Sequence, residues 1–145
     1  MPMLAILTTM TCKLCAEQQH ALKENERSVI ILSNPHKVPG HMLVMPKRHI
    51  EMPWELTPEE LQDIFGLIFF AEQRLLGKLG EGVDIRQSYW PFKGEDKLKA
   101  RHLVFHIIPR SPGDYLFQVS DQYKDDLYVD LDSMEYQAVA KILQD

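Results

Sequence analysis

Arg101-His102-Leu103-Val104-Phe105-His106-Ile107-Ile108-Pro109-Arg110 is the stretch whose reading decides the fold. Its β-branched and aromatic content predicts a strand over His102–Ile108, with side chains alternating between two faces. His102, Val104 and His106 then share one face, with neighbours about 7 Å apart, while Leu103, Phe105 and Ile107 turn to the other. The apolar face asks for a helix or core to cover it. The histidine face either lies over a site or holds satisfied core imidazoles. From Lys93 to Arg110 there are five Lys/Arg (Lys93, Lys97, Lys99, Arg101, Arg110) against Glu95 and Asp96. That local positive excess suits an anionic ligand, phosphate above all.

Working outward, Ser28–Ser33 (SVIILS) is a short buried strand stopped by Asn34-Pro35, and His41–Met45 (HMLVM) is a second, ended by Pro46. The loop Pro35–Gly40 between them is short, so the two pair antiparallel. Thr57-Pro58-Glu59-Glu60 starts a helix, with Thr57 as cap, Pro58 at the first position and Glu60 three residues after the cap. Leu61, Ile64, Phe65, Ile68, Leu75, Leu76 and Leu79 recur at helical spacing, predicting a helix over 57–79 that stops at Gly80. Val83–Tyr89 reads as a further strand, and Pro91–Lys99 as a polar link. Beyond Pro109 the chain is irregular and acidic, with a short C-terminal helix over Ser133–Leu143 capped by Asp132 or Ser133. Strands and helices do not alternate regularly, so the fold class is α+β with an antiparallel sheet.

At 145 residues, 45% hydrophobic and 26% charged, the chain fits one globular domain spanning 1–145. Apolar runs stop short of the roughly 20 residues of a membrane span. The opening MPMLAILTTMTC lacks a basic leader and a clear cleavage site, so the expectation is a cytoplasmic protein with no membrane partner. A net charge of −5 disfavours general nucleic-acid binding. The two cysteines, in Cys12-Lys13-Leu14-Cys15, are too few for a disulfide scaffold. Their spacing suits one tetrahedral Zn²⁺ with two positions to fill, a thiol–disulfide pair, or two buried thiols.

The chain resembles histidine-triad (HIT) proteins over nearly its whole length. The resemblance is carried by Cys12-x-x-Cys15, by Pro39-Gly40-His41-Met42-Leu43-Val44-Met45-Pro46-Lys47-Arg48-His49, and by His102-Leu103-Val104-Phe105-His106-Ile107-Ile108-Pro109-Arg110. It implies a five-stranded antiparallel sheet with helices, and a homodimer with a nucleotide site in each subunit. It further implies chemistry in which a histidine attacks the α-phosphorus of a nucleotide, splitting one displacement into two. His102 matches the first triad residue and His106 the third, which contacts phosphate. His41 matches the Gly-His residue that supports the network. Zinc-bearing members imply Cys12, Cys15, His49 and His102 as ligands of a structural Zn²⁺.

The middle triad position, where the nucleophile belongs, is Val104. Valine has no lone pair to attack phosphorus. The expectation is therefore a zinc-stabilised protein that binds a nucleoside phosphate such as AMP, with nucleotidyl hydrolase or transferase activity lost or strongly impaired. The alternatives are an active enzyme, with Val104 an engineered change or the nucleophile relocated to His106 or His41, and a non-catalytic or redox module built on Cys12 and Cys15. The family's Gly-Gln phosphate contact is also missing. Lys97-Leu98 occupies its neighbourhood, so Lys97 or Lys99 is expected to supply charge, with Arg86 a weaker candidate. Asn34 is expected at the ribose, with Ser33 behind it, although Asn34-Pro35 is equally a turn. Trp54, Tyr89, Trp90 and Phe92 read as packing at a core or dimer edge.

Overall fold

A computed structural model describes residues 12–95 and 100–144. The fold is α+β. Its five-stranded sheet runs in the order β1-β2-β3-β5-β4, every neighbouring pair antiparallel. The strands are β1 (Lys23–Glu24), β2 (Ser28–Leu32), β3 (Met42–Pro46), β4 (Gly82–Arg86) and β5 (Phe105–Arg110). The chain divides at Pro112/Gly113 into two compact units, a finer division than the single domain expected.

In the first unit, β2 and β3 pair with Ile30 opposite Val44, as the short loop requires. β5 joins the other edge of β3, setting Phe105 opposite Val44 and His106 opposite Leu43. This register sorts the side chains. Ile30, Val44 and Ile107 point to one face and form a core with Ile64, Leu67, Ile68, Ala71 and Leu75 of helix α2 (Pro58–Leu75), with Phe105 packed at its margin. On the opposite face Val29, Ile31, Leu43 and Met45 make a second core, against which Val104 and Leu14 of helix α1 (Lys13–Glu17) pack. Phe105 and Ile107 thus bury toward the helix, leaving Val104 and His106 on the other side.

Helix α2 starts where the sequence predicts. The Thr57 side chain accepts from the Glu60 N–H at 3.1 Å, and the Glu60 carboxylate accepts from the Thr57 N–H at 3.0 Å. Arg48 donates to the same carboxylate at 2.7 Å, tying the helix to the segment after β3. The far end is shorter than predicted. Gly77, at φ +79°, takes the left-handed conformation that closes a helix, so α2 stops at Leu75 rather than 79. Leu76 and Leu79 lie beyond it and are exposed, as is Leu61.

Two strands also differ from expectation, for one reason. Leu103 donates its N–H to the Ile50 carbonyl at 2.6 Å, so the chain just before β5 is tied at Leu103 to the segment after β3. β5 therefore begins at Phe105 rather than His102. β4 loses its partner after Arg86, which pairs with His106, and does not continue to Tyr89.

The second unit, Gly113–Asp145, contains short helical turns and helix α3 (Ser133–Gln144). Asp132 caps α3, its carboxylate accepting from the Glu135 N–H at 2.8 Å. No helix among the described residues is long and apolar enough to cross a membrane.

Two substitutions test the packing account. Thr57→Ala, which removes half of the capping box, should lower unfolding free energy by about 1 kcal/mol. Ile68→Ala, at a fully buried position, should cost about 2–5 kcal/mol. Urea denaturation that ranks them the other way would contradict this assignment of roles.

Candidate functional site

The first cluster lies where the start of α1, the end of β3 and residue 102 converge. Cys12 and Cys15 bracket the first turn of α1, and the Cys12 thiol accepts from the Cys15 N–H at 3.4 Å. His102 is buried at 4% exposure, and its Nε2–H donates to the Pro46 carbonyl at 3.1 Å. That bond leaves Nδ1 facing the thiols, 3.5 Å from Cys12 Sγ and 3.4 Å from Cys15 Sγ. His49 Nδ1 lies 3.4 Å from Cys15 Sγ, with its Nε2–H toward Glu51 at 3.4 Å. Each imidazole thus has its outer nitrogen held by an oxygen acceptor and its inner one turned to sulfur, the usual support of a metal-ligating histidine.

These residues could hold a metal ion. Their four ligand atoms lie within 4.8 Å of one another. A tetrahedral Zn²⁺ with ordinary Zn–S and Zn–N bonds sets a sulfur–nitrogen edge of roughly 3.5 Å, which the Cys12–His102, Cys15–His102 and Cys15–His49 distances match. The Cys15 thiol is pushed up to about 12 by burial and then by Cys12 beside it. A partly desolvated Cys15 thiol beside a second sulfur resists ionising without a cation, which is the electrostatic complement of a divalent ion.

The second cluster is the pair His41 and His106. Gly40, at φ +85°, turns the chain into β3, and a Cβ there would meet Leu79 at 2.7 Å and Pro109 at 3.2 Å. The glycine of Pro39-Gly40-His41 is thus required both by conformation and by close approach. His41 is buried, and His41 Nε2 lies 2.9 Å from His106 Nδ1. The Lys37 N–H donates to His41 Nδ1 at 3.1 Å. A backbone N–H only donates, so His41 Nδ1 accepts and its Nε2 carries the proton given to His106 Nδ1. His106 is left with a proton on Nε2. Burial first, and then nearby positive charge, push both imidazoles down to about 4, so both are neutral at pH 7.

Both clusters border one cavity of about 630 Å³. Val104 is in its wall together with His102 and His106, and Asn34 also lines it. Four cationic residues, Lys13, Lys37, Lys93 and Arg101, line this cavity with one acidic residue, Glu51. Its charge suits an anion.

Several sequence-predicted residues stand elsewhere. Ser33 is not in the cavity wall; its hydroxyl donates to the Pro35 carbonyl at 2.7 Å, which closes the turn. Arg86 donates to Asp84 at 2.8 Å and does not line the cavity. Lys97 and Lys99 lie outside the described residues. Tyr89 and Trp90, expected as packing residues, are in the cavity wall, half-exposed, with Tyr89 edge-on to Trp54. Sequence reasoning missed Lys13 and Lys37. Lys13 lies inside the cysteine motif, and Lys37 lies four residues before His41; each was masked by the motif beside it.

The molecule thus combines a five-stranded antiparallel sheet, a hydrogen-bonded pair formed by His41 before β3 and His106 in β5, and a Cys₂His₂ cluster. The HIT domain matches residues 16–113, and the chain belongs to that family. The bis(5′-nucleosyl)-tetraphosphatase (asymmetrical) of Schizosaccharomyces pombe is 32% identical over 88 residues, covering 54% of this chain and 42% of that protein. The chain thus spans less than half the length of that relative. Among solved structures, a HIT family member from Bacillus subtilis has a TM-score of 0.71 at 22% identity, covering 92% of this chain and 95% of its own. A Zn-bound histidine triad family protein from Mycobacterium smegmatis has a TM-score of 0.60 at 24% identity, covering 74% and 81%. At those identities the structures share the fold.

Two consequences are measurable. Metal uptake must displace the Cys15 proton, so affinity for Zn²⁺ should rise between about pH 6 and pH 8 in chelator competition; a flat profile would contradict the thiol's raised pKa. His41 and His106 stay unprotonated down to about 4 in the native state, whereas the unfolded chain takes up protons near 6.5. The unfolded state therefore binds more protons in that window. Stability should be full above about pH 6.5 and fall progressively toward pH 4. Denaturant midpoints for His41→Asn that fall as steeply as those of the parent would count against this.

Proposed function

We propose that the chain binds a nucleoside phosphate such as AMP in the cavity bordered by His41 and His106, with nucleotidyl hydrolase and transferase chemistry lost or strongly impaired. The observation that carries this reading is the position of Val104, in the cavity wall and packed on the core of Val29, Ile31, Leu43 and Met45. The place that the family's attacking imidazole takes holds a side chain with no lone pair. Binding remains supported: His106 Nε2–H is a neutral donor for a phosphate oxygen, Lys37 and Arg101 supply charge, and Asn34 is placed for a ribose hydroxyl. Lys97 and Lys99 remain candidates for the missing amide contact.

The same hydrogen bonds disfavour a relocated nucleophile. With Lys37 N–H fixing the direction, His41 has both nitrogens engaged and His106 has its lone pair on Nδ1 committed to His41. Neither offers an imidazole lone pair to phosphorus. An active hydrolase is the second reading, favoured by the relationship to a tetraphosphatase.

The reading includes one structural Zn²⁺ per chain on Cys12, Cys15, His49 and His102, supported by the gathering of their sulfur and nitrogen donors within 4.8 Å of one another. When bound, the metal would pin α1 to the junction of β3 and residue 102. A homodimer and a cytoplasmic setting belong to the reading through the family resemblance alone.

The test is turnover of adenosine 5′-phosphoramidate by the native chain and by Val104→His, with AMP affinity measured alongside. The expected result is AMP binding by both and turnover about 10³-fold or more faster with the histidine. Comparable turnover by the native chain would overturn the loss of activity, and absence of AMP binding would overturn the assignment of the cavity.

A further inference from the structure

The residues between the two cysteines do not face away from the cavity. Lys13 and Leu14 both line it, as do His102, a member of the cysteine–histidine cluster, and Glu51, which lies beside His49. The cysteine–histidine cluster therefore adjoins the cavity. Lys13 Nζ donates to the Asn34 carbonyl at 3.2 Å, which links the first turn of α1 to the loop that follows β2. That loop also carries the Lys37 N–H that orients His41.

Helix α1 has only five residues and none of them is buried, too short to persist by its own hydrogen bonds. Besides the Lys13–Asn34 bond, it is anchored by Leu14 on the second core, by Gln18 donating to the Lys47 carbonyl at 3.1 Å, and by the thiols beside His49 and His102. A divalent cation drawing both sulfurs onto the two imidazoles would fix α1, and with it the base of the Lys13 side chain. Two thiolates cancel the charge of such a cation, so its effect on an anion in the cavity comes through placement and not through added charge.

From this arrangement we infer that Lys13 is a phosphate-binding residue whose position is set by the metal cluster, so that metal and nucleoside phosphate bind with positive coupling. The inference rests on the nucleotide reading of the cavity. Coupling of this kind is reciprocal: if metal occupancy tightens AMP binding, AMP tightens metal binding by the same factor.

The experiment is chelator competition for zinc on the zinc-loaded full chain, with and without saturating AMP, for the native protein, Lys13→Gln and Lys13→Arg. Calorimetry gives the AMP affinity of each loaded protein. In the native protein and in Lys13→Arg, AMP should tighten zinc about tenfold. In Lys13→Gln the AMP effect should largely vanish and AMP affinity should fall, while zinc affinity without AMP stays at the native value. Equal AMP effects in Lys13→Gln and the native protein would overturn the role of Lys13, as would a loss of zinc affinity by Lys13→Gln with no AMP present. AMP binding without any change in zinc affinity would overturn the coupling and leave the cavity assignment standing. Failure of the loaded native protein to bind AMP would overturn both.

Discussion

One buried imidazole holds the candidate site together. His102 gives its Nε2–H to Pro46 at the end of β3 and turns Nδ1 to Cys12 and Cys15. An unpaired imidazole at that depth would cost about 1–3 kcal/mol in lost hydrogen bonding, so both partners must be supplied by the fold. Supplying them draws the chain just before β5 off the strand ladder and ties it at Leu103 to Ile50, in the segment after β3. The beginning of β5, the end of β4 and the seat of Val104 follow from that departure. A change at His102 would therefore disturb the cluster and the cavity wall together.

The second constraint is directional. Gly40 shapes the entry to β3, Lys37 N–H fixes the tautomer of His41, and His41 fixes that of His106. In a family enzyme such a chain would support a neighbouring nucleophile. Here it delivers one neutral donor into a cationic cavity beside a valine. On the proposed reading, this geometry serves the binding half of the family's chemistry, and Val104 leaves the attacking half without a nucleophile.

Much of this was legible in the sequence, because the deciding signals were local. The Thr57–Glu60 capping box, the β-branched runs at 28–32 and 42–46, and the alternation through Phe105 and Ile107 each name their own structure. Cys12, Cys15, His49 and His102 were grouped by family resemblance, and the fold brings their ligand atoms together. The departures have more than one cause. The strand predicted to start at His102 lost its first residues to a bond with Ile50, which periodicity does not register. Gly77 ended α2 before Gly80, since either glycine is a fair stop and only the backbone chooses. Tyr89 and Trp90 entered the cavity wall because β4 stopped early, a consequence of the same departure at residues 102–104. Ser33, the fallback to Asn34 at the ribose, donates its hydroxyl to the Pro35 carbonyl two residues on.

The central claim is that this cavity holds a nucleoside phosphate without forming a covalent bond to it. Rapid-quench intact-mass spectrometry of the native protein, incubated with adenosine 5′-phosphoramidate after AMP binding has been established, tests it most directly. The account predicts unmodified protein at every quench time, with a nucleotidyl adduct forming only in Val104→His. A nucleotidyl group on His106 or His41 of the native chain would contradict it.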